Sequence, residues 1–173
     1  MHQNQMNETQ HAMLMDIRRS IRYHDRRRAF FETMHRLTSV LTILLAGSVL
    51  FDIAKPGVTA EWLVFISLCG ALLAAFDMVI SYSNHANMHR TLKVRFANLE
   101  ILILTGGGTD EEWDGYQKER LLIECDEPPI YRALDTLCHN ELAASLGNKD
   151  IYPVSFIQRL TCQVFHWSDI AHT

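Results

Sequence analysis

Two long apolar runs constrain what this chain can fold into. The first occupies residues 37–54 and carries one charged residue, Asp52, close to its end. The second occupies residues 62–82 and also carries one charged residue, Asp77. At about 1.5 Å of helical rise per residue, these runs make helices of roughly 27 and 31 Å, against a hydrocarbon core of about 30 Å. Both runs therefore predict helices that cross a membrane.

The connection between the two runs, residues 55–61, is short and contains Pro56 and Gly57. A connection this short makes the two helices antiparallel neighbours. The runs show almost no polar face, whereas a buried helix of a soluble bundle usually has one. The sequence thus predicts an all-α membrane protein built around an antiparallel two-helix transmembrane hairpin, residues 37–82.

The charges that flank the predicted hairpin orient it. Residues 1–36 carry a net charge of +3 and residues 83–104 a net charge of +2, whereas the connection contains a single basic residue, Lys55. Basic flanking segments stay on the cytoplasmic side of a membrane. We therefore expect a multi-pass protein with both termini in the cytoplasm.

Three segments are expected outside the membrane, and each is expected to be helical. Residues 1–36 form a basic juxtamembrane helix that continues into the first span. Residues 83–105 extend the second span, and because no glycine or proline interrupts residues 83–104, we expect residues 62–104 to form one helix. Residues 109–173 form an acidic helical tail. These extensions predict a cytoplasmic part that is larger than the hairpin itself.

The tail supplies both a helix signal and a functional exclusion. Thr109 and Glu112 have the spacing of a capping box, which predicts a helix from Asp110 to about Cys125. Residues 105–173 carry a net charge of −7. This acidity excludes nucleic acid as an expected partner.

Small and polar residues line one face of the second run. Lipid-facing surface is apolar, so this stripe is expected to face protein or water. Its members recur at spacings of three and four residues and are Ser67, Gly70, Ala74, Asp77 and Ser81. A weaker counterpart on the first run consists of Thr38, Thr42 and Ala46.

Two interpretations of the stripe remain open from the residues alone. In one, it is a packing seam between helices, with Asp77 protonated or paired with Arg36. In the other, it lines a pore formed by several subunits, because two helices cannot enclose a water path alone. A ring of Asp77 carboxylates would then form a negative constriction, as acidic rings do in cation channels.

Two further sets of residues are predicted to make contacts outside the spans. The arginines of a basic run precede the first span and are expected to contact lipid headgroups: Arg26, Arg27 and Arg28. An apolar stripe at helical spacing follows the second span and is expected to pack either within one chain or between subunits. Its members are Met88, Leu92, Phe96, Leu99 and Ile103.

The sequence offers little for catalysis or metal binding. His85 and His89 share a helix face, but the glutamate of an HExxH motif is missing and no third ligand is evident. His24 beside Asp25 could be called an acid–base pair, yet no nucleophile elbow, kinase loop or dinucleotide fingerprint accompanies it. The cysteines form no CxxC motif. We expect no enzyme, no metal site and no cofactor.

The arrangement resembles the SLATT domains, which are bacterial two-transmembrane modules. The resemblance covers residues 15–105. It depends on the juxtamembrane helix IRYHDRRRAFFETMHRLTSVL, the tight hairpin, and the long helix YSNHANMHRTLKVRFANLEILI after the second span. It implies a homo-oligomeric effector of the bacterial inner membrane, associated with anti-phage or nucleotide-signalling systems, that forms a pore or disrupts the membrane. No nucleotide-sensing domain is visible, so any trigger would come from a separate sensor or regulatory protein.

The alternative function is a membrane-anchored scaffold. In that case, the acidic helical tail would recruit a cytoplasmic protein partner. The two functions differ in their effect on a cell, because an effector without restraint depolarises the membrane whereas a scaffold is tolerated.

The predicted topology can be tested with reporter fusions. Both flanks of the hairpin are basic, so both termini are expected in the cytoplasm. A reporter enzyme that works only in the cytoplasm should therefore be active when fused near residue 10 or after Thr173, and a reporter that works only outside should be inactive. A cysteine introduced into residues 55–61 should be labelled by an impermeant thiol reagent from outside. An outward-facing terminus, or labelling of this connection from the cytoplasm, would contradict the charge argument.

Overall fold

The structure, a computed structural model, describes residues 8–53, 60–149 and 151–167. All regular structure in these residues is helical, which confirms the predicted all-α class. The helices in chain order are α1 (Glu8–Ile53), α2 (Ala60–Ile80), α3 (Tyr82–Thr105), α4 (Asp110–Glu124), α5 (Arg132–Ser145) and α6 (Phe156–Thr161). Most of the predicted connection at residues 55–61 lies outside the described residues.

The helices group into two compact units. Unit 1 comprises residues 1–27 together with residues 89–173, and unit 2 comprises residues 28–88. Helix α1 contributes its first part to unit 1 and the remainder to unit 2, because it continues without a break as the sequence predicts.

The core of unit 1 forms around α1 and α3. Helix α1 buries Leu14 and Ile17 almost completely. Helix α3 buries residues spaced three or four apart, which is the spacing that places side chains on one helix face. The buried members of this face are Leu92, Phe96, Leu99 and Ile103. Four of the five residues of the predicted stripe thus lie inside the chain's own core, while Met88, which belongs to unit 2, is half-buried.

The acidic tail supplies the remaining helices of unit 1. The capping box predicted at the start of α4 is confirmed, because Thr109 Oγ1 accepts from the Glu112 amide and Glu112 Oε2 accepts from the Thr109 amide at 3.1 Å. Backbone N–H donors of Thr109 and Gly107 lower the pKa of Glu112.

A cluster of buried side chains joins this tail to α1: Tyr23, Ala133, Leu134, Cys138 and Cys162. Burial raises the pKa of Cys138 to about 12, so its thiol stays protonated.

Unit 2 contains the second part of α1, helix α2 and the start of α3 as far as Met88. Ile66 of α2 is buried, and Gly70 lies close to α1, because a Cβ added there would be 3.7 Å from Leu45 Cβ. The Phe31 ring stacks on His85, with ring centroids 5.0 Å apart. Most large apolar side chains of α2 are exposed, including Leu68, Leu72, Phe76 and Met78. This unit therefore presents an apolar exterior.

One helical stretch in the described residues is long and apolar enough to cross a membrane. It runs from Glu61 to Thr105, and its most apolar window has a mean hydropathy of 2.4 with 6% of that window buried. Within the described residues, the part of α1 predicted as the first span is not long and apolar enough by the same criteria of length and hydropathy. The structure describes the side chains of α1 as far as residue 49. The two-span hairpin therefore stays a prediction.

The expected single helix over residues 62–104 is interrupted at Ser81. Ser81 has a φ of 52°, in the left-handed region, and separates α2 from α3. Its carbonyl accepts from the amides of Asn84 at 2.9 Å and His85 at 3.1 Å. The prediction of one uninterrupted helix is wrong at this residue, because absence of glycine and proline does not exclude a left-handed serine.

The inward face of α3 can be tested with a pair of leucines on the same helix. Leu99 is 1% exposed and Leu102 is 52% exposed. We expect Leu99→Ala to lower the free energy of unfolding of unit 1 by about 2–5 kcal/mol, because it leaves a cavity. The matched change Leu102→Ala should stay within about 0.5 kcal/mol. Denaturant titration in detergent, followed by circular dichroism, measures both, and equal effects would contradict the assigned face.

Candidate functional site

Asp77 of α2 contacts two polar side chains of α1. The ring nitrogen Nδ1 of His35 lies 3.1 Å from Asp77 Oδ1 and 3.2 Å from Oδ2. The Thr38 hydroxyl lies 3.3 Å from Asp77 Oδ1. The Asp77 side chain is 27% exposed and the His35 side chain is 44% exposed. The one charged residue in the most apolar part of the chain thus has partners within its own unit.

Helical spacing explains why His35 and Thr38 reach the same carboxylate. Residues three apart on a helix lie on one face, and so do residues four apart. His35, Thr38 and Thr42 therefore share the face of α1 that meets α2. Thr42 donates from Oγ1 to the Thr38 carbonyl at 2.8 Å, which satisfies its hydroxyl within α1.

The chemistry of the cluster stabilises a charge in apolar surroundings. An ionised carboxylate accepts only, so His35 must donate its Nδ1 proton to Asp77. Thr38 has one hydroxyl proton, which it can give to Asp77, to the His35 carbonyl at 3.0 Å or to the Met34 carbonyl at 3.1 Å. An isolated carboxylate in hydrocarbon costs several kcal/mol, and hydrogen bonds to it reduce that cost. The cluster can therefore hold a charge or a proton.

In the packing-seam interpretation, Asp77 is either protonated or paired with Arg36, and the structure does not show the pairing with Arg36. The Arg36 side chain is 79% exposed, and its guanidinium lies 3.8 Å from Glu32 on the same helix. Adjacent residues on a helix differ by about 100° in direction, so His35 faces α2 and Arg36 does not. The spacing of His35 from Thr38 and Thr42 could have identified the correct residue from the sequence.

Only some residues of the small and polar stripe of α2 lie against α1. Gly70 and Asp77 lie against α1, at the contacts with Leu45 and His35. Ser67 and Ala74 are exposed. Ser81 lies at the interruption after α2, where its hydroxyl donates to the Met78 carbonyl at 3.0 Å. On α1, Thr38 and Thr42 are half-buried and Ala46 is exposed.

The three arginines predicted to contact lipid headgroups have protein partners. Arg26 forms an ion pair with Glu141 of α5. Arg27 is buried, donates to the Gln163 carbonyl at 2.6 Å, and stacks over the Tyr131 ring. A buried guanidinium held in this way does not reach lipid. Within unit 2, Arg28 pairs with Glu32 at 2.8 Å. A headgroup role stays a prediction for Arg26 and Arg28.

The two histidines that raised the question of a metal lie in different surroundings. His85 stacks on Phe31 in unit 2, whereas His89 is buried in unit 1. His89 Nδ1 lies 2.9 Å from His24 Nδ1, and His24 Nε2 lies 2.8 Å from Glu127 Oε1. Within the described residues, no group of three or more potential ligands is arranged to hold a metal ion. Sequence reasoning missed the contact between His24 and His89, which are far apart in the chain.

Comparisons with known proteins do not identify this chain. A scan against protein-family models, a search of curated proteins and a search of solved structures each find no match. The resemblance to SLATT domains therefore stays an expectation from the arrangement of the sequence.

The contact between His35 and Asp77 can be measured with a double-mutant cycle. Changing both residues to alanine should destabilise the protein less than the sum of the two single changes, because each single change already removes the contact. We expect a coupling of about 0.5–1 kcal/mol in detergent, since both side chains are partly exposed. Thermal or denaturant unfolding of the four proteins gives the value.

A second cycle supplies the matched control for this pair. Arg36 is adjacent to His35 but points away from Asp77. The effects of Arg36→Ala and Asp77→Ala should therefore add within about 0.3–0.5 kcal/mol. A larger coupling for Arg36 than for His35 would overturn the assigned partner.

Proposed function

We propose that this chain is a two-span membrane protein of the bacterial inner membrane that assembles with copies of itself and permeabilises or disrupts that membrane. Its role would be that of an effector in anti-phage abortive defence, with both termini in the cytoplasm and a separate protein or ligand as trigger. The observation that carries the proposal is the helical stretch Glu61–Thr105, whose most apolar window is only 6% buried. A lipid bilayer would cover such a surface.

The contacts within unit 2 support an antiparallel hairpin. Asp77 contacts His35, and seven residues earlier in α2, Gly70 approaches Leu45, which lies ten residues later in α1. The two helices therefore run in opposite directions along their contact. This arrangement supports lipid contact on the outer surfaces of the two helices, with the Asp77 cluster between them.

The exposed half of the stripe supports assembly. Ser67 and Ala74 lie seven residues apart, on the same face of α2, and both are exposed. Small side chains allow close approach of helices in a membrane, where apolar surface alone gives little drive for association. We assign this face to contacts between copies or to the lining of a shared pore. Asp77, held by His35 and Thr38, belongs to the packing seam.

One observation favours the alternative, a membrane-anchored scaffold. Helix α6 and the residues after it in unit 1 expose several large apolar side chains. They are Phe156, Ile157, Leu160, Val164 and Phe165. Such a surface is typical of protein contacts. In this function, the chain would anchor a cytoplasmic partner to the membrane without permeabilising it.

Controlled expression in bacteria tests the effector function. We expect induction to depolarise the membrane, measured with a potential-sensitive dye, and to arrest growth. Ala74→Leu should abolish depolarisation, because a larger side chain keeps copies apart at this face. The same change at Ala75, an exposed neighbour turned about 100° away, should leave depolarisation intact.

The measurements also separate the two functions. Membrane-inserted protein that leaves the potential and growth unchanged would reject the effector function in favour of the scaffold. Equal effects of the substitutions at Ala74 and Ala75 would reject the assigned face but not permeabilisation itself. Protein found only in the soluble fraction would reject both functions.

A further inference from the structure

A cavity of about 290 Å³ lies in unit 1 between α1, α3 and α5, and we call it the α1–α5 cavity. Its polar lining consists of Arg18, Arg22, Glu100 and Ser145. Arg18 and Arg22 are one helical turn apart on α1, so both side chains lie on the same helix face. The volume is close to the lower end of the range for small-molecule sites, about 300–1,000 Å³, and it therefore suits a small ligand.

Two of the polar residues neutralise one another. Arg18 Nε donates to Glu100 Oε1 at 2.7 Å, and the two side chains are 22% and 23% exposed. A guanidinium has several N–H donors, so a bond through Nε leaves donors on its terminal nitrogens for other acceptors. The pair of Arg18 with Glu100 therefore adds no net charge to the α1–α5 cavity.

Arg22 supplies the charge of the α1–α5 cavity. Its terminal nitrogen Nη2 lies 3.5 Å from Ser145 Oγ, which is long for a hydrogen bond. Among the described residues, no carboxylate pairs with Arg22, whereas its neighbours on α1 do have such partners, Arg19 with Asp135 and Arg26 with Glu141. The lining thus has one positive charge that no residue of the described chain neutralises.

Ser145 positions Arg22 within the lining. The Ser145 hydroxyl donates to the Leu142 carbonyl at 2.7 Å, which fixes the hydroxyl against α5. Its oxygen then remains an acceptor for Arg22. The guanidinium is therefore held beside α5 by a neutral group, and its other donors are not used by that contact.

The remaining lining residues are apolar. They are Ile21 of α1, Leu142 of α5 and Leu146, which caps the end of α5. Leu142 is 5% exposed, whereas Leu146 is 53% exposed. An apolar group placed beside Arg22 would cover the exposed part of Leu146, and removal of apolar surface from water is favourable.

These groups select one kind of anion. A carboxylate has two oxygens that match the parallel N–H donors of a guanidinium, and a charge-assisted pair of this kind is stronger than a neutral hydrogen bond. A second negative charge on the ligand would find no second uncompensated cation in the lining and would approach Glu100. A ligand with one carboxylate and a short apolar chain satisfies both parts of the lining.

We propose that the α1–α5 cavity binds a small monocarboxylate with a short apolar chain, whose carboxylate pairs with Arg22 and whose chain contacts Leu142 and Leu146. All members of this site lie in unit 1. The site is independent of the proposed permeabilising function, because binding is measured on the purified protein and requires no membrane potential.

Isothermal titration calorimetry of the full chain in detergent tests the site, with hexanoate as the probe. We expect saturable binding with a Kd of about 0.1–1 mM, which is ordinary for so small a ligand. Hexanamide has the same shape without the charge and should bind about tenfold or more weakly. Heats of partition into detergent, measured without protein, are subtracted. Absence of saturable hexanoate binding, or equal binding of hexanoate and hexanamide, would overturn the proposal.

A matched pair of substitutions on α1 tests the role of Arg22. Arg22→Gln should weaken hexanoate binding about 10- to 100-fold, because a hydrogen bond to a charged group is lost. Arg26→Gln removes the same charge one turn along α1, outside the cavity lining, and should change the affinity by no more than about twofold, since salt screens distant charges. Equal weakening by both substitutions would show a general attraction of anions and would overturn the site.

Arg22→Lys separates pairing with the ligand from a structural role of Arg22. Lysine keeps the charge but not the parallel donors, so this variant should bind hexanoate more weakly than the unmodified protein and still prefer it to hexanamide. A folded Arg22→Lys protein without that preference would contradict the assigned contact. Circular dichroism gives the unfolding midpoint of each variant.

Two further measurements test the apolar lining and the single charge of the ligand. Leu146→Ala should weaken hexanoate binding about three- to tenfold and leave acetate binding unchanged, because only hexanoate has a chain to cover. Hexyl phosphate, which carries a second charge at neutral pH, should bind more weakly than hexanoate. Unchanged hexanoate affinity in Leu146→Ala, or tighter binding of hexyl phosphate, would overturn the assigned ligand class.

Discussion

The exposed apolar surface of α2 is the constraint on which the interpretation of this protein depends. Side chains such as Leu68, Leu72 and Phe76 are more than half exposed in the folded chain. Burial of one such side chain contributes about 1.5–3 kcal/mol, so a helix with this surface is unstable in water unless something covers it. Lipid or further copies of the chain provide that cover. The polar contact of Asp77 with α1 is compatible with cover by lipid or by further copies, because Asp77 faces α1 and not the exposed surface of α2.

Charge complementarity organises unit 1 in addition to its apolar core. Arginines of α1 pair with carboxylates of α3 and α5, through Arg18 with Glu100 and Arg26 with Glu141. One ion pair has the charges reversed, with the carboxylate on α1: Arg120 of α4 pairs with Asp16. The basic start of the chain and its acidic tail therefore attract one another. The positive-inside argument treats these arginines as the basic flank of a membrane span. In unit 1, the same arginines also form ion pairs between its helices.

Features encoded by local spacing were predictable, and contacts between distant residues were not. The start of α4 followed from Thr109 and Glu112, since a capping box needs only residues three apart. The buried face of α3 followed from its 3.6-residue period. The contact of His24 with His89, in contrast, depends on how α1 meets α3, and no local pattern specifies it. The pairing of Asp77 with His35 rather than Arg36 is an intermediate case. Helical spacing places His35 on the same face as Thr38, but this identifies the partner only once α2 is known to pack on that face.

At the interruption at Ser81, several backbone groups at the end of the apolar helix keep hydrogen-bond partners. A left-handed conformation costs a residue other than glycine roughly 1–2 kcal/mol. The Ser81 amide nevertheless donates to the Asp77 carbonyl at 2.9 Å, and the amides of Asn84 and His85 both find the Ser81 carbonyl. Backbone polar groups in a membrane need such internal partners. Asp77 therefore stabilises this end of α2 twice, since its carboxylate bonds α1 through His35 while its carbonyl accepts the last amide before the polar residues of α3.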